Sequence, residues 1–422
     1  MSKQKAGWLL LGIGTFLITS GLVLGTAVTE VLTNTGGAVG MRKVSAEVKP
    51  AWRGDKTLNL EMIKKFREEF GTNHITYTVE SINMKQTKDW SGKKIDAAVT
   101  GADSNYAVFH GFAFSDGSFD LAEKLGAEKT AVISETLAWA LFRTTRAAGM
   151  ELELYGQAFR ITGVFRYPED ILYTLVKPGL PDVLISAETM LSLDEGAYIA
   201  SVELAVDGSI TFGGNTERMN SALRRMGADT NRFIFTDFDT GRKSIAQKPA
   251  LIVITAGFIT VLLSIVYFIK SVMSLIREIW KTCRAYGMNP PWSAWLKQGL
   301  RLLLPAAVIA ALLLLWRQSG FRLYVPAEYI PGETLDGQKY QELIREGFRR
   351  FFSGIREEAS VNVKLFQAAG LLSGTIFRTA VYAGALLTFA GMTALSHTPL
   401  AGGVVKAGIC QIAALLAACG LC

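Results

Sequence analysis

Side-chain chemistry needs a base, a nucleophile or a set of metal ligands within reach of one another. This chain of 422 residues offers few. Its three histidines are His74, His110 and His397, and none has a ligand-spaced partner. His110 stands in an aromatic stretch, a setting for a packed ring rather than a general base. Cys419-Gly420-Leu421-Cys422 has the spacing of a redox pair. A redox pair needs a helix start beside a βαβ unit, whereas this one lies in an apolar tail, where small residues suit helix packing. No Gly-rich loop leads into Gly-Lys-Ser/Thr, so any ATP that drives this protein binds another chain. The sequence therefore predicts no enzyme, no cofactor and no metal site here.

The pattern that does carry chemistry is suited to lipid. Half of the residues are hydrophobic. Residues 7–29 hold no charge and follow Lys3 and Lys5. Lys248 precedes a second uncharged run, 249–269. A shorter run, 302–316, carries Pro305. Beyond Arg378 only His397 and Lys406 interrupt an apolar sequence, and Arg378 at a span's end suits snorkelling. A span takes about 20 apolar residues. The first run exceeds the ~7–15 residues of a signal peptide's apolar core, so a retained helix is expected. Its "GLVLG" at 21–25 allows either close helix approach or ordinary membrane glycine.

Charge sets the orientation. The formal net charge is +7, with a pI near 9.1. Arg277, Lys281, Arg284, Lys297 and Arg301 cluster against the single acidic residue Glu278 between two apolar runs. That placement reads as a cytoplasmic loop and excludes a nucleic-acid partner. Lys3 and Lys5 put the N-terminus on the same side, so residues 30–247 lie outside. All four cysteines fall beyond that segment. A core, not disulfides, must hold it together.

Within residues 30–247 the periodicity predicts a layered α+β domain. Residues 57–70 and 216–227 have helical apolar spacing, the first broken at Gly71 and the second at Gly227. Strands are predicted at 75–84, 93–102, 181–193, 197–206 and 231–238. Ala131, Val132 and Ile133 begin a short strand, with Ser134 as N-cap of a following helix. In "MELELYGQAFRITGVF" (150–165) two alternating runs flank a turn at Tyr155-Gly156-Gln157, a hairpin with one wet face. The reading is two sequence-distant halves, with residues 103–170 inserted between them and 104–119 looped.

The ordered segments "AVTGADSNYAVFHGFAFSDGSF", "AVISETLAWALF", "GMELELYGQAFRITGVF" and "DVLISAETM" resemble the extracytoplasmic core domain of MacB-like and FtsX-like ABC transporter permeases. The resemblance covers about residues 55–245 and the helix before them. "IREIWKTCRAYGMNPPWSAWLKQ" (276–298) is similar to the family's segment that rests on the ATPase subunit. It implies that Arg277, Glu278, Arg284, Gly287 and Trp292 couple to that subunit. The residues themselves suggest a helix ended by Gly287, a turn at Asn289-Pro290-Pro291, and an interfacial helix begun by Trp292 and Trp295.

The expected architecture is a membrane protein, an α-helical transmembrane region plus a large extracytoplasmic α+β domain. Its parts are a first span at 1–29, the outer domain at 30–247, a second span at 248–276 and the coupling segment at 277–298. A third span follows at 299–317. An outer loop at 318–376 contains an amphipathic helix at 339–358, and two C-terminal spans occupy 377–422. That is five spans, one more than the family's four. The function implied is a plasma-membrane permease subunit driven by a separate ABC ATPase. It would work as a homodimer or paired with a second permease, with an extracytoplasmic protein partner. The alternative is a membrane-anchored extracellular sensor or scaffold not driven by ATP.

Overall fold

The structure, a computed structural model, describes residues 3–34, 38–83, 85–88, 92, 94–121, 129–167, 176, 180–206, 214–286 and 361–395, with isolated positions between 306 and 345. Apart from those isolated positions, the predicted third span and the amphipathic helix at 339–358 lie outside these residues, as does the tail beyond 395. The chain divides into two compact units. One comprises Met1–Val28, Ile245–Tyr324 and Leu372–Cys422; the other comprises Thr29–Ser244 and Val325–Leu371.

The second unit is built on one eleven-stranded sheet. In chain order its strands are β1 (Lys43–Val48), β2 (Ile75–Ser81), β3 (Lys85–Lys88), β4 (Lys94–Ala102), β5 (Ala113–Gly117) and β6 (Thr130–Ser134). They continue with β7 (Glu151–Leu154), β8 (Gln157–Arg166), β9 (Asp182–Ser186), β10 (Ala197–Ala205) and β11 (Phe233–Asp237). The spatial order is β11-β1-β10-β2-β4-β9-β6-β8-β5, with β3 beside β4 and β7 beside β8. Four helices supply side chains to the main core: α2 (Leu60–Phe70), α4 (Glu135–Phe142), α5 (Ala187–Leu193) and α6 (Gly214–Arg225). The strands contribute residues such as Val79, Ile133, Phe159 and Val202.

The predicted helices at 57–70 and 216–227 appear as α2 and α6, and the hairpin is present. Its loop is Tyr155-Gly156, both at positive φ (55° and 68°), with Leu154 opposite Gln157. Two such residues match the strands' right-handed twist. Leu152 and Leu154 are buried while Glu151 and Glu153 are exposed, the wet face expected.

Several expectations change. Residues 181–193 are not one strand. The chain turns helical after Ser186, where Ala187 and Met190 take helical spacing and both are buried. Gly101 of β4 permits this packing, since a Cβ there would lie 3.0 Å from Ala187 Cα and 3.2 Å from Met190 Cβ. Ser134 begins α4 without a side-chain cap bond. Its hydroxyl instead pairs with Thr136 Oγ1 at 2.9 Å and accepts the Asp182 N–H at 3.1 Å. Residues 103–170 are no separate insert. β4 runs parallel to β9, β9 antiparallel to β6, and β6 parallel to β8, so these residues complete the sheet. Both β6 and β9 are buried along nearly their whole length and so need neighbours on both sides. The stretch read as looped holds α3 (Tyr106–His110) and β5.

In the first unit lie the bulk of α1 (Lys3–Asn34) and much of α8 (Val361–Leu395). Among the described residues two segments, Ala6–Val28 and Val363–Gly391, are long and apolar enough to cross a membrane. The glycines that matter recur every seven residues, not only at 21–25. Cβ atoms built on Gly14 and Gly391 would fall 2.6 Å from Gly384 O and 2.7 Å from Gly7 O, and one on Gly21 would fall 2.6 Å from Ala380 Cβ. The pairs run in opposite senses, so α1 and α8 are antiparallel here. Backbones this close need small residues at the contact.

With native cysteines replaced, a pair placed at Gly21 and Ala380 should oxidise to a disulfide after a shift of about 1 Å. Adding Gly384→Leu should cut the yield by about 5–150-fold, the effect of a ~1–3 kcal/mol overpacking penalty. Unchanged cross-linking on non-reducing gels would refute the packing.

Candidate functional site

The densest polar arrangement in the second unit is buried and joins residues far apart in sequence. Lys43, the first residue of β1, is 1% exposed. Its Nζ donates to Glu203 Oε2 of β10 at 2.8 Å and to Phe109 O of α3 at 3.3 Å. It also lies 5.9 Å and 5.6 Å from the ring centroids of Phe109 and Phe238. His110 Nε2 sits 3.0 Å from the same Glu203 Oε2. The His110 ring stacks on Tyr106, centroids 3.9 Å apart.

A lone buried charge would be expelled, but paired charges with further hydrogen bonds persist. Burial alone would raise the Glu203 pKa. His110 and Lys43, through charge and hydrogen bonds, outweigh that and hold it at about 2. Burial pushes His110 below its ordinary 6.5; Glu203 works against that shift and Lys43 with it. At neutral pH the cluster is thus one ammonium, one carboxylate and a neutral ring, with zero net charge.

This cluster adjoins the root of α7 (Phe238–Tyr286), which begins at Phe238. Asp237 caps that helix, accepting from Thr240 N–H at 2.9 Å, and also accepts from Asn215 Nδ2 at 3.0 Å. The buried Asp239 pairs with Arg242 at 3.0 Å and with Lys243. An acidic residue in a helix's first turn also meets the positive end of its dipole. Phe238 packs edge-on against Phe366, with centroids 5.3 Å apart.

On the other side, aromatic rings lead away from His110. Tyr106 meets Phe112 at 5.9 Å, Phe112 meets Phe165 at 4.9 Å, and Phe165 meets Tyr167 at 5.2 Å. The Tyr167 hydroxyl donates to Asp182 of β9. Burial raises the Asp182 carboxyl to about 6, partly offset by that bond. A second buried carboxylate, Asp103, accepts from Arg67 at 2.6 Å and from Thr76. Among the described residues no group of three or more His, Cys, Asp or Glu could hold a metal ion.

Of the predicted coupling residues, Arg277, Glu278 and Arg284 lie on α7. Arg277, Lys281 and Arg284, four and three residues apart, share a helix face. Arg277 Nε donates to Met273 O at 3.3 Å, and the Arg284 guanidinium lies 5.3 Å from the Trp280 ring. Trp280 itself is exposed. Gly287 and Trp292 lie outside the described residues. Lys43 and Glu203 were not singled out by sequence. A lysine opening a strand is unremarkable until the fold places a glutamate from 160 residues away against it.

Lys43→Ala would strand the buried Glu203 unless His110 takes up a proton, and at a pH where the ring stays neutral it should cost about 3–5 kcal/mol. The paired change Lys43→Met with Glu203→Leu should cost much less, because no charge is stranded. Acid should also destabilise. Glu203 is depressed from 4.5 to about 2, so its contribution is full above 4.5 and is lost as pH falls through 2. His110, also depressed, adds a loss that begins as pH falls below 6.5. Thermal unfolding of the full-length protein in detergent across pH 8 to 3 measures both; equal stability at pH 7.5 and 5 would contradict the His110 assignment.

The sequence profile of the MacB-like periplasmic core domain matches residues 9–248. No curated protein matches the chain. Among solved structures, the periplasmic region of MacB from Actinobacillus actinomycetemcomitans is 14% identical, covers 49% of this chain and 94% of its own, and has a TM-score of 0.38. The extracellular domain of the noncanonical ABC-type transporter YknZ from Gram-positive bacteria is 14% identical, covering 46% of this chain and 99% of its own, at a TM-score of 0.34. A domain of a permease protein from Porphyromonas gingivalis is 15% identical, covering 47% and 91%, at 0.33. The profile match spans more than half of the sequence, and the chain belongs to the family that carries the MacB-like periplasmic core domain.

Proposed function

We propose that this chain is the permease subunit of an ABC transporter, coupling ATP hydrolysis on a separate ATPase subunit to its extracytoplasmic α+β domain. The work is export or mechanotransmission, performed as a homodimer or beside a second permease. The chain does no ATP chemistry itself. Its N-terminus is cytoplasmic, and residues 30–247 lie outside.

One observation carries the reading. α7 is a single helix of 49 residues that begins at the buried charge cluster, contains the apolar run 249–269 and ends in the basic face of Arg277, Lys281 and Arg284. At 1.5 Å per residue it is about 74 Å long, more than twice a bilayer's ~30 Å core. The helix is continuous in the chain from the domain's last strand to this basic face, with Pro249 inside it omitting one backbone hydrogen bond. Arg277, Glu278 and Arg284, with Gly287 and Trp292 beyond them, form the surface offered to the ATPase. The exposed Trp280 gives that surface an apolar anchor.

Two measurements test this. A cysteine at the exposed Lys64 should react with an impermeant thiol reagent in intact cells; labelling only after lysis would reverse the orientation. In reconstituted membranes, Arg284→Glu and Gly287→Val should each abolish stimulation of the partner ATPase while leaving protein level and outer-domain folding intact. The valine would strain a position expected at positive φ by about 1–3 kcal/mol, too little to unfold the chain. Full stimulation by both variants would favour a membrane-anchored sensor or scaffold.

A further inference from the structure

Glu203 offers one oxygen to two nitrogens. Lys43 Nζ at 2.8 Å and His110 Nε2 at 3.0 Å both approach Oε2. Among the described residues, Phe109 O and the rings of Phe109 and Phe238 also meet Lys43 Nζ; they stabilise a cation and carry no negative charge. The charged groups acting on His110 are Glu203 from β10 and Lys43 from β1, while Tyr106 of its own helix covers its ring. The site therefore balances one cation, not two.

We propose that Glu203 is the seat of a one-cation latch: its Oε2 holds Lys43 while His110 is neutral, and a proton taken up by His110 expels the His110 ring from the cluster at the root of α7, while α3 itself stays tied through Phe109 O to Lys43 and through Asn105 to Ile75 O. The balance is simple. One proton from solvent turns a neutral buried cluster into one of charge +1, and a net buried charge without a partner is not retained. Lys43 and Glu203 are anchored on paired strands, with Lys43 opposite Ala205 and Glu203 opposite Ser45. Phe109 is fully buried and Asn105 ties α3 to Thr72 O and Ile75 O, whereas His110 is the helix's last residue, before Gly111, so its ring is the member able to turn away. Its departure would break the stack on Tyr106 and change the ring environment that Tyr106 shares with Phe112. Burial already holds His110 neutral at rest. The latch gives the extracytoplasmic domain an acid-responsive state; it rests on the proposed placement outside the membrane for its setting but needs no ATPase to operate.

The test uses full-length protein in detergent with native cysteines changed to serine. Histidine-selective 15N labelling follows the three imidazoles by NMR, with His110→Gln assigning the resonance. The wild-type His110 should titrate below 6.5. In Lys43→Met the protonated ring can replace the lost cation, so proton affinity should rise by about tenfold or more, one pKa unit or greater. With 3-fluorotyrosine incorporated and the Tyr106 signal assigned by Tyr106→Phe, that resonance should shift below the wild-type midpoint, a shift absent in His110→Gln. An unmoved His110 midpoint in Lys43→Met, or a full acid response in His110→Gln, would overturn the latch. Should Lys43→Met not fold, Lys43→Gln makes the same comparison. A failed ATPase assay would leave the titration result standing, so the two readings fail separately.

Discussion

A single carboxylate, Glu203, is the constraint on which the arrangement of the outer domain turns. It lies on β10, between β1 and β2. To stay ionised in a dry interior it needs a cation, and the fold supplies Lys43 from the strand that follows α1. Lys43 in turn needs its remaining donors and charge accommodated. Phe109 of α3 and Phe238 of α7 do so with a carbonyl and two rings. The first strand in the chain, its neighbour β10 and the root of the long helix are thus tied by one desolvated ion pair. Such a pair contributes little net stability over apolar packing, but breaking one half is costly. It fixes which elements move together.

The sheet around that pair is divided in character rather than in connection. Near β1 and β10 the neighbours are antiparallel. Further along, β4 meets β9 and β6 meets β8 in parallel, with helices α4 and α5 following β6 and β9 directly. The opposite face of this second half is covered by a smaller core, in which Phe165 and Leu184 are joined by Phe112, Phe114 and Phe119. His110 stands between the ion pair and that aromatic cover, in contact with both.

Local pattern made much of this legible. The Leu152, Leu154 and Phe159 alternation and the Tyr155-Gly156 turn identified a hairpin, and Ile63 and Phe66 identified a helix, because each signal is complete within a few residues. The uncharged run at 7–29 likewise announced α1. What the sequence could not display was pairing across distance. β1 escaped notice because Lys43 at its start reads as a surface residue until Glu203 meets it. Residues 181–193 read as one strand because the switch at Ser186 depends on Gly101 leaving room for α5. Residues 103–170 read as an insert because β4 and β9 are joined only through parallel pairing across some eighty residues. The seven-residue glycine spacing of α1 was present but mute without α8 opposite it. Of the coupling surface, the basic helix face was legible from Arg277, Lys281 and Arg284 alone.

The proposed function makes one central claim: the basic face of Arg277, Lys281 and Arg284 on α7 is where an ATPase subunit docks. The most direct measurement is photo-crosslinking from Arg284, replaced by a photoreactive amino acid in the full-length protein in its native membrane. Mass spectrometry then identifies what is captured. The account predicts a chain carrying a Gly-rich loop that ends in Gly-Lys-Ser/Thr, an ATPase, as the dominant adduct. Adducts to lipid alone would contradict it.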